Sequence, residues 1–227
     1  MLSMPTACWL CRMQLALPAQ GICSLCLLQL PAVVPCCPRC GLPALHLRTQ
    51  CGRCHLHPPA WQRMIYVSDW QFPLRDWVNQ LKFYGKTALA PMLARLLLLR
   101  WLAVRREFML DKPDLLLCAP LHRQRAWRRG YNQMDDITRL LARWIGCPYA
   151  PAGIKRLRKT RIQHRLYASQ RKKNVRGAFS VETDVHRLHI AVLDDVITTG
   201  NTLQEISRIL LAAGAASVQV WGLCRTL

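Results

Sequence analysis

Residues 188–214 constrain the fold more than any other part of the chain. The apolar run Leu188-His189-Ile190-Ala191-Val192-Leu193 ends in two adjacent acids, Asp194 and Asp195. Val196-Ile197-Thr198-Thr199-Gly200-Asn201-Thr202 follows, and then Leu203, Ile206, Ile209 and Leu210 recur at helical spacing up to Gly214. This order predicts a buried strand, a tight loop and a helix N-terminus. Backbone N–H groups without partners at a helix start, reinforced by the positive end of its dipole, form an anion site. Hydroxyls of Thr198, Thr199 and Thr202 add donors, and Gly200 lets the backbone approach a phosphate closely. The two carboxylates can accept hydrogen bonds from sugar hydroxyls or hold a divalent metal. Thr or Asn capping would explain one hydroxyl, but not paired acids closing a buried strand. A sugar phosphate satisfies both halves.

Strand and helix signals alternate upstream of this segment. Met64 to Trp70 reads as a strand, and Leu74 to Phe83 and Thr87 to Val104 as helices interrupted at Gly85. Asp114 to Pro120 is a short buried strand, and Asp135 to Ile145 an amphipathic helix stopped by Gly146. Ala178 to Val181 and Ser217 to Cys224 complete the set of strands. Such alternation implies an α/β fold with a mostly parallel sheet and ligand loops at the strand carboxyl ends.

Cysteine spacing sets a second constraint. Cys8-x2-Cys11 and Cys23-x2-Cys26 are followed by Cys37-x2-Cys40 and Cys51-x2-Cys54, an internal repeat. Tight Cys-x2-Cys turns present two thiolates to one tetrahedral metal, and two such turns close a structural Zn²⁺ site with no position left for catalytic water. The repeat favours sequential pairing, one Zn²⁺ per half, over a cross-braced arrangement. Cys36, His55 and His57 leave the ligand register open. Pro58-Pro59 marks the boundary, so residues 1–58 are expected to form a double zinc ribbon and 59–227 a separate α/β domain.

Charge narrows the partners. Lys and Arg number 32 against 12 acids, a formal +20 with thiols counted as neutral. Eight thiolates around two Zn²⁺ would leave about +16, still an excess that calls for a polyanion. Between Ile137 and Val181 the chain carries twelve Lys or Arg and no acid, ten of them from Lys155 to Arg176. A second basic stretch, Leu121 to Gln133, carries Arg123, Arg125, Arg128 and Arg129 with Trp127 and Tyr131 between and beyond them. Arginine forks suit pyrophosphate, and interleaved aromatics suit stacking on single-stranded bases. The most apolar stretch, Leu89 to Val104, is interrupted by Arg95 and Arg100 and reads as too short to span a membrane. The N-terminus lacks the pattern of a signal peptide, and the cysteine spacing is that of metal sites rather than disulfides. A reduced, cytoplasmic location is expected.

The acid pair and its loop resemble the 5-phosphoribosyl-1-pyrophosphate (PRPP) motif of type I phosphoribosyltransferases. That resemblance implies that Asp194 and Asp195 are catalytic residues holding the ribose. Val196, Thr198, Thr199, Gly200, Asn201 and Thr202 would bind the remainder of PRPP, with the loop amides on its 5-phosphate. Arg125, Arg128, Arg129 and Gly130 would belong to the pyrophosphate loop, with Mg²⁺ sharing the charge. Arg161, Arg165, Arg171, Lys172 and Lys173 would lie in a basic flap that closes over the sugar or tracks nucleic acid. Further motifs resemble the ComF/GntX family: the four cysteine knuckles, Gln80-Leu81-Lys82-Phe83, Arg129-Gly130-Tyr131-Asn132-Gln133, Thr160-x2-Gln163-x2-Leu166 and Arg171-x2-Asn174-Val175-x-Gly177-Ala178-Phe179. Membership implies a double zinc ribbon on a phosphoribosyltransferase domain, and a role in handling imported DNA during competence or nutrient use. No residues support gluconate chemistry.

The last strand is followed directly by Leu227, without a segment for the hood that covers the base in such transferases. Either the zinc ribbon supplies the second wall, or PRPP binding persists without transfer. Three readings follow. The chain is a transferase acting on a base or nucleotide released from DNA, a non-catalytic nucleic-acid module regulated by PRPP, or a scaffold that docks a DNA-uptake or helicase protein.

Overall fold

The computed structural model describes residues 7–31, 35–44, 49–120, 132–157 and 176–226. Its centre is a parallel sheet of four strands: β1 (Arg63–Asp69), β2 (Leu115–Cys118), β5 (His189–Ile197) and β6 (Ser217–Arg225). They lie in the order β1-β6-β5-β2. The apolar runs make this possible, because a parallel sheet is covered on both faces and its strands read as nearly continuous apolar segments. Two short helices, α1 (Ser24–Leu28) and α2 (Gly52–Leu56), belong to the cysteine-rich part. Helices α3 (Leu74–Tyr84), α4 (Ala90–Phe108) and α5 (Gln133–Ile145) share a core with Ile65, Leu193, Trp221 and Leu223 of the sheet. Helix α6 (Asn201–Ala212) packs Leu203, Ile206 and Leu210 into a second core with Tyr66, Val192 and Val220. The sheet is therefore sandwiched between helices, the α/β architecture expected.

Helix ends follow the local chemistry. Asn132 caps α5 by accepting a hydrogen bond from the Met134 amide at 3.1 Å, and Asp135 and Asp136 sit in the first turn, where the dipole favours them. Gly85 and Gly146 take the left-handed conformation that closes α3 and α5.

Three expectations change. Strand β5 does not stop before the acids but runs through them, because β6 supplies partners as far as the pairs Asp194–Gly222, Val196–Cys224 and Ile197–Arg225. The strand at Phe179–Val181 (β4) stands outside the main sheet and pairs antiparallel with Ile154–Arg156 (β3). A tripeptide with one apolar residue and two bases carries no readable period, so β3 depends on its partner for definition. The helical stretch Thr87–Phe108 reaches 22 residues with a mean hydropathy of 1.5, long and apolar enough to cross a membrane by those measures. Half of that window is buried inside the molecule, including Met92, Leu93 and Leu97. It serves as a core helix.

Candidate functional site

The acid pair sits where β5 emerges from the core. Ile190 to Leu193 are fully buried, whereas Asp194 and Asp195 are half-buried and Thr198 and Thr199 exposed. Asp194 Oδ1 accepts the Asp195 amide at 2.9 Å, which fixes the first carboxylate against its own backbone. Val196 packs its side chain into the α3–α5 core and leaves only its backbone for a ligand. Gly200 has φ +73°, and a Cβ there would lie 3.0 Å from Trp61 Cη2. Both facts favour glycine: a side chain there would be strained and would press on the indole. Helix α6 starts at the next residue without a side-chain cap on its first N–H groups, although Thr199 Oγ1 receives the Asn201 amide at 3.5 Å. Thus Asp194, Asp195, Thr198, Thr199, Gly200, Asn201 and Thr202 form one continuous edge, as the sequence order requires.

Lys82 was not among the expected site residues, yet its Nζ stands 2.8 Å from Asp195 Oδ1, both side chains about 15% exposed. The ammonium also lies 5.8 Å from the Trp70 ring centroid. Helix α3 aims it there, one position after Leu81, which anchors the helix in the core. The signal was the Gln80-Leu81-Lys82-Phe83 motif, noted for family likeness but not for chemistry. Nearby, at the end of β1, Asp69 Oδ1 is buried with no hydrogen-bond partner among the described residues. Burial pushes its carboxyl up, against the pull of the Arg225 charge.

Cysteine thiols gather in two groups, Cys8, Cys11, Cys23, Cys26 and Cys37, Cys40, Cys51, Cys54, with the four Sγ atoms of each within 4.8 Å of one another. This is sequential pairing. Neither His55 nor His57 belongs to a group, and both are exposed; Cys36 is buried outside them. Tetrahedral bonds of about 2.3 Å to Zn²⁺ would separate sulfurs by about 3.8 Å. The Cys11–Cys23 and Cys40–Cys51 separations, 3.9 and 3.6 Å, fit such an ion. Burial pushes the Cys8 thiol up, but amides of Cys23, Cys11 and Leu10 outweigh it and bring it down to about 6. In the second group burial acts likewise on Cys37, and amides of Cys51, Arg39 and Cys40 bring it down to about 7. Amide donors aimed at sulfur favour thiolate at these two positions, whereas burial pushes Cys26, Cys40 and Cys54 up, so an ion would have to displace their protons.

The second cysteine group touches the acid-bearing edge, a contact that spacing could not foretell. Arg225 Nε donates to the Cys40 carbonyl at 3.1 Å, while its Nη1, with two N–H groups, faces the carbonyls of Ile197 (3.0 Å), Thr198 and Thr226. Arg39 donates to the carbonyls of Pro59 and Gln62 at 3.0 Å each, and its own carbonyl accepts the Trp61 indole N–H. Gln204 Oε1 receives the Ala60 amide at 3.0 Å. An arginine closing an otherwise apolar last strand was the available clue to this contact.

Arg125, Arg128, Arg129 and Gly130, together with Arg161, Arg165, Arg171, Lys172 and Lys173, lie outside the described residues. The described chain enters the first segment from Ala119 and Pro120 at the carboxyl end of β2, next to β5 in the sheet. It enters and leaves the second through the β3–β4 pair, extended by the Leu157 amide bond to the Ala178 carbonyl at 2.9 Å.

No protein-family profile matches the chain. Among solved structures, the hypoxanthine-guanine phosphoribosyl transferase of L. donovani is 20% identical, with a TM-score of 0.37 covering 60% of this chain and 70% of that one. Full-length relatives are nearer. The DNA utilization protein YhgH of Salmonella typhimurium is 50% identical over 227 residues, all of both chains. Competence protein F of Haemophilus influenzae is 36% identical over 221 residues, 96% of each. At that identity over that length, the chain belongs to the family of DNA utilization protein YhgH and competence protein F, the ComF/GntX family whose motifs it carries.

Proposed function

We propose that this protein binds PRPP at the carboxyl edge of β5 and acts as a phosphoribosyltransferase-like protein in the handling of imported single-stranded DNA and its nucleotides. One observation carries the reading: two half-buried carboxylates lead into a turn with a left-handed glycine and an uncapped helix start. Asp194 and Asp195 would hold the ribose hydroxyls. The amides of Thr198 to Thr202, with the threonine hydroxyls, would hold the 5-phosphate.

Lys82 supplies a step of its own. Its ammonium, 2.8 Å from Asp195 Oδ1, neutralises that carboxylate. An arriving diphosphate offers the ammonium a stronger partner, which would release Asp195 to the sugar. Asp194 or Asp195 could hold a Mg²⁺ ion, a hard cation suited to oxygen ligands, which would share the negative charge of the diphosphate. Transfer would break the C1–O bond, with pyrophosphate taking the electron pair, and a base nitrogen would attack the cationic sugar carbon. Arg125, Arg128 and Arg129 would stabilise the departing charge, and Arg161, Arg165, Arg171, Lys172 and Lys173 would close over it or track a DNA backbone.

In this reading residues 1–58 form the zinc ribbons and 59–227 the transferase-like domain, and the reduced thiols belong to a cytoplasmic protein. The second ribbon, seated beside the loop through Cys40 and Arg39, would supply a second wall for the base. Release of pyrophosphate from PRPP with candidate bases, abolished in Asp194→Asn with Asp195→Asn, tests the activity. The excess positive charge favours one alternative, a non-catalytic nucleic-acid module that keeps PRPP as a regulator or docks an uptake partner. Steeply salt-dependent single-strand binding that survives both substitutions, without pyrophosphate release, would select it.

A further inference from the structure

We propose that Arg225 is a positioning residue for the phosphate loop, and that through it the second cysteine cluster sets the direction of the loop amides. The inference rests on the PRPP reading for its ligand, but not for its geometry.

A peptide group is planar and trans, so its carbonyl and the following N–H point in opposite directions. Arg225 gathers the carbonyls of Ile197 and Thr198 onto one guanidinium nitrogen; the Ile197 carbonyl also accepts the Thr226 amide at 3.0 Å, and Arg225 is the side chain that reaches both. The amides of Thr198 and Thr199 are therefore turned away from the guanidinium, which leaves them to face a ligand. Arg225 is only 7% exposed, so the guanidinium approaches the loop from the interior, with its bond to Ile197 buried and that to Thr198 half-buried. Its Nε is held in turn by the carbonyl of Cys40, a member of the second thiol group.

Two further contacts make the same link. Tyr66 donates its hydroxyl to the Gly41 carbonyl at 3.3 Å, and a Cβ on Gly41 would lie 2.9 Å from Tyr66 Cε1 and 3.5 Å from Arg225 Cγ. Gly41, with no side chain of its own, thus lets the knuckle lie directly on the side chains of Tyr66, Met64 and Arg225. Trp61, 4% exposed, donates to Arg39 within the knuckle and presents its ring edge to Gly200. Three backbone points of the knuckle, at residues 39, 40 and 41, are therefore tied to the sheet edge and loop. An ion that fixes Cys37 and Cys40 fixes all three.

The test uses the full, zinc-loaded chain labelled with ¹⁵N, following the amides of Thr198, Thr199 and Gly200 before and during titration with PRPP. Arg225→Lys keeps the charge but cannot reach the Cys40 and loop carbonyls together. It is expected to move the three amides and weaken PRPP by about tenfold, the loss of one charge-assisted hydrogen-bond set. Cys40→Ser should move the same amides, whereas Cys11→Ser, in the first cluster, should leave them in place. Trp61→Phe removes both the indole N–H that holds the Arg39 carbonyl and the ring edge that faces Gly200, while Arg225 stays in place, and should displace the Gly200 amide. Amides unmoved in Arg225→Lys or in Trp61→Phe, or equally moved in Cys11→Ser, would overturn the coupling. Amides that move as expected in a chain that does not take up PRPP would uphold the coupling and remove the ligand assignment instead.

Discussion

In the first cysteine cluster the residue after the Cys8-x2-Cys11 turn is Arg12, at φ +65°; in the second, after Cys37-x2-Cys40, it is Gly41, at φ +70°. The turns are otherwise built alike. The Arg12 amide bonds the Cys8 carbonyl at 3.0 Å and the Gly41 amide bonds the Cys37 carbonyl at 2.9 Å. Each half then ends in a short helix that begins right after its third cysteine, α1 after Cys23 and α2 after Cys51. What differs is the ground beneath. Arg12 is exposed and its guanidinium lies 5.7 Å from the Trp9 ring, so a strained arginine is tolerated there. Gly41 is buried under Tyr66, Met64 and Arg225, where no side chain fits. The first cluster instead seats Gly21 on α4, a Cβ there lying 2.7 Å from Met92 Cβ. One repeat thus braces the back of a core helix, and its copy is fitted to the loop that carries the candidate site.

Metal removal breaks the comparison most completely. Each four-thiolate site can contribute roughly 10–16 kcal/mol of folding free energy at neutral pH. Chelation is therefore expected to abolish amide protection throughout residues before Pro58. If the two clusters differ as their contacts indicate, protection at Thr198 to Gly200 should fall with that of the second cluster. Hydrogen exchange followed by mass spectrometry at rising chelator concentration reads both regions together. Retained protection before Pro58 would count against metal sites altogether.

Gly41→Arg, which writes the first cluster's residue into the second, should be the most damaging single exchange. The side chain has to enter a space already held by Tyr66 and Met64, and overpacking of this kind costs about 1–3 kcal/mol or more. Thermal unfolding should show that loss while zinc content stays the same, and PRPP affinity should fall with it. Gly200→Val probes the other side of the same contact. It combines a left-handed φ unsuited to a β-branched residue with a Cβ 3.0 Å from Trp61, and about 1–3 kcal/mol of strain is expected. Calorimetric titration should find PRPP binding lost well before the fold is.

How much of this was readable beforehand follows from range. Strand β5, its loop and α6 are contiguous, so hydrophobic run, acids, Gly200 and helical period could be read in order. The thiol groups were legible because metal geometry fixes short spacings. Lys82 and Arg225 were not, since each reaches its partner across the sheet: Lys82 from α3 to β5, and Arg225 from β6 to both Cys40 and Ile197. Nothing local distinguishes a lysine that will face an aspartate 113 positions later. The pair β3–β4 was missed on one side for a similar reason, its three residues being too few to show a period.

Arg12→Gly completes the set with the smallest effect, and its sign matters more than its size. The left-handed conformation disfavours a residue with Cβ by about 1–2 kcal/mol, whereas glycine adopts it freely. Glycine also loses more backbone entropy on folding, and the arginine's contact with Trp9 would go, worth about 0.5–1 kcal/mol at an exposed site. These terms nearly cancel, so unfolding should stay within about 1 kcal/mol of the parent chain. The reciprocal exchange at position 41 should cost several times more, although the two turns have the same backbone. Equal effects at positions 12 and 41, measured side by side by denaturant titration, would mean that Gly41 is held by the sheet no more firmly than the exposed Arg12 is held by its own surroundings. A large gap would show that the glycine was needed for the contact beneath it rather than for the turn itself.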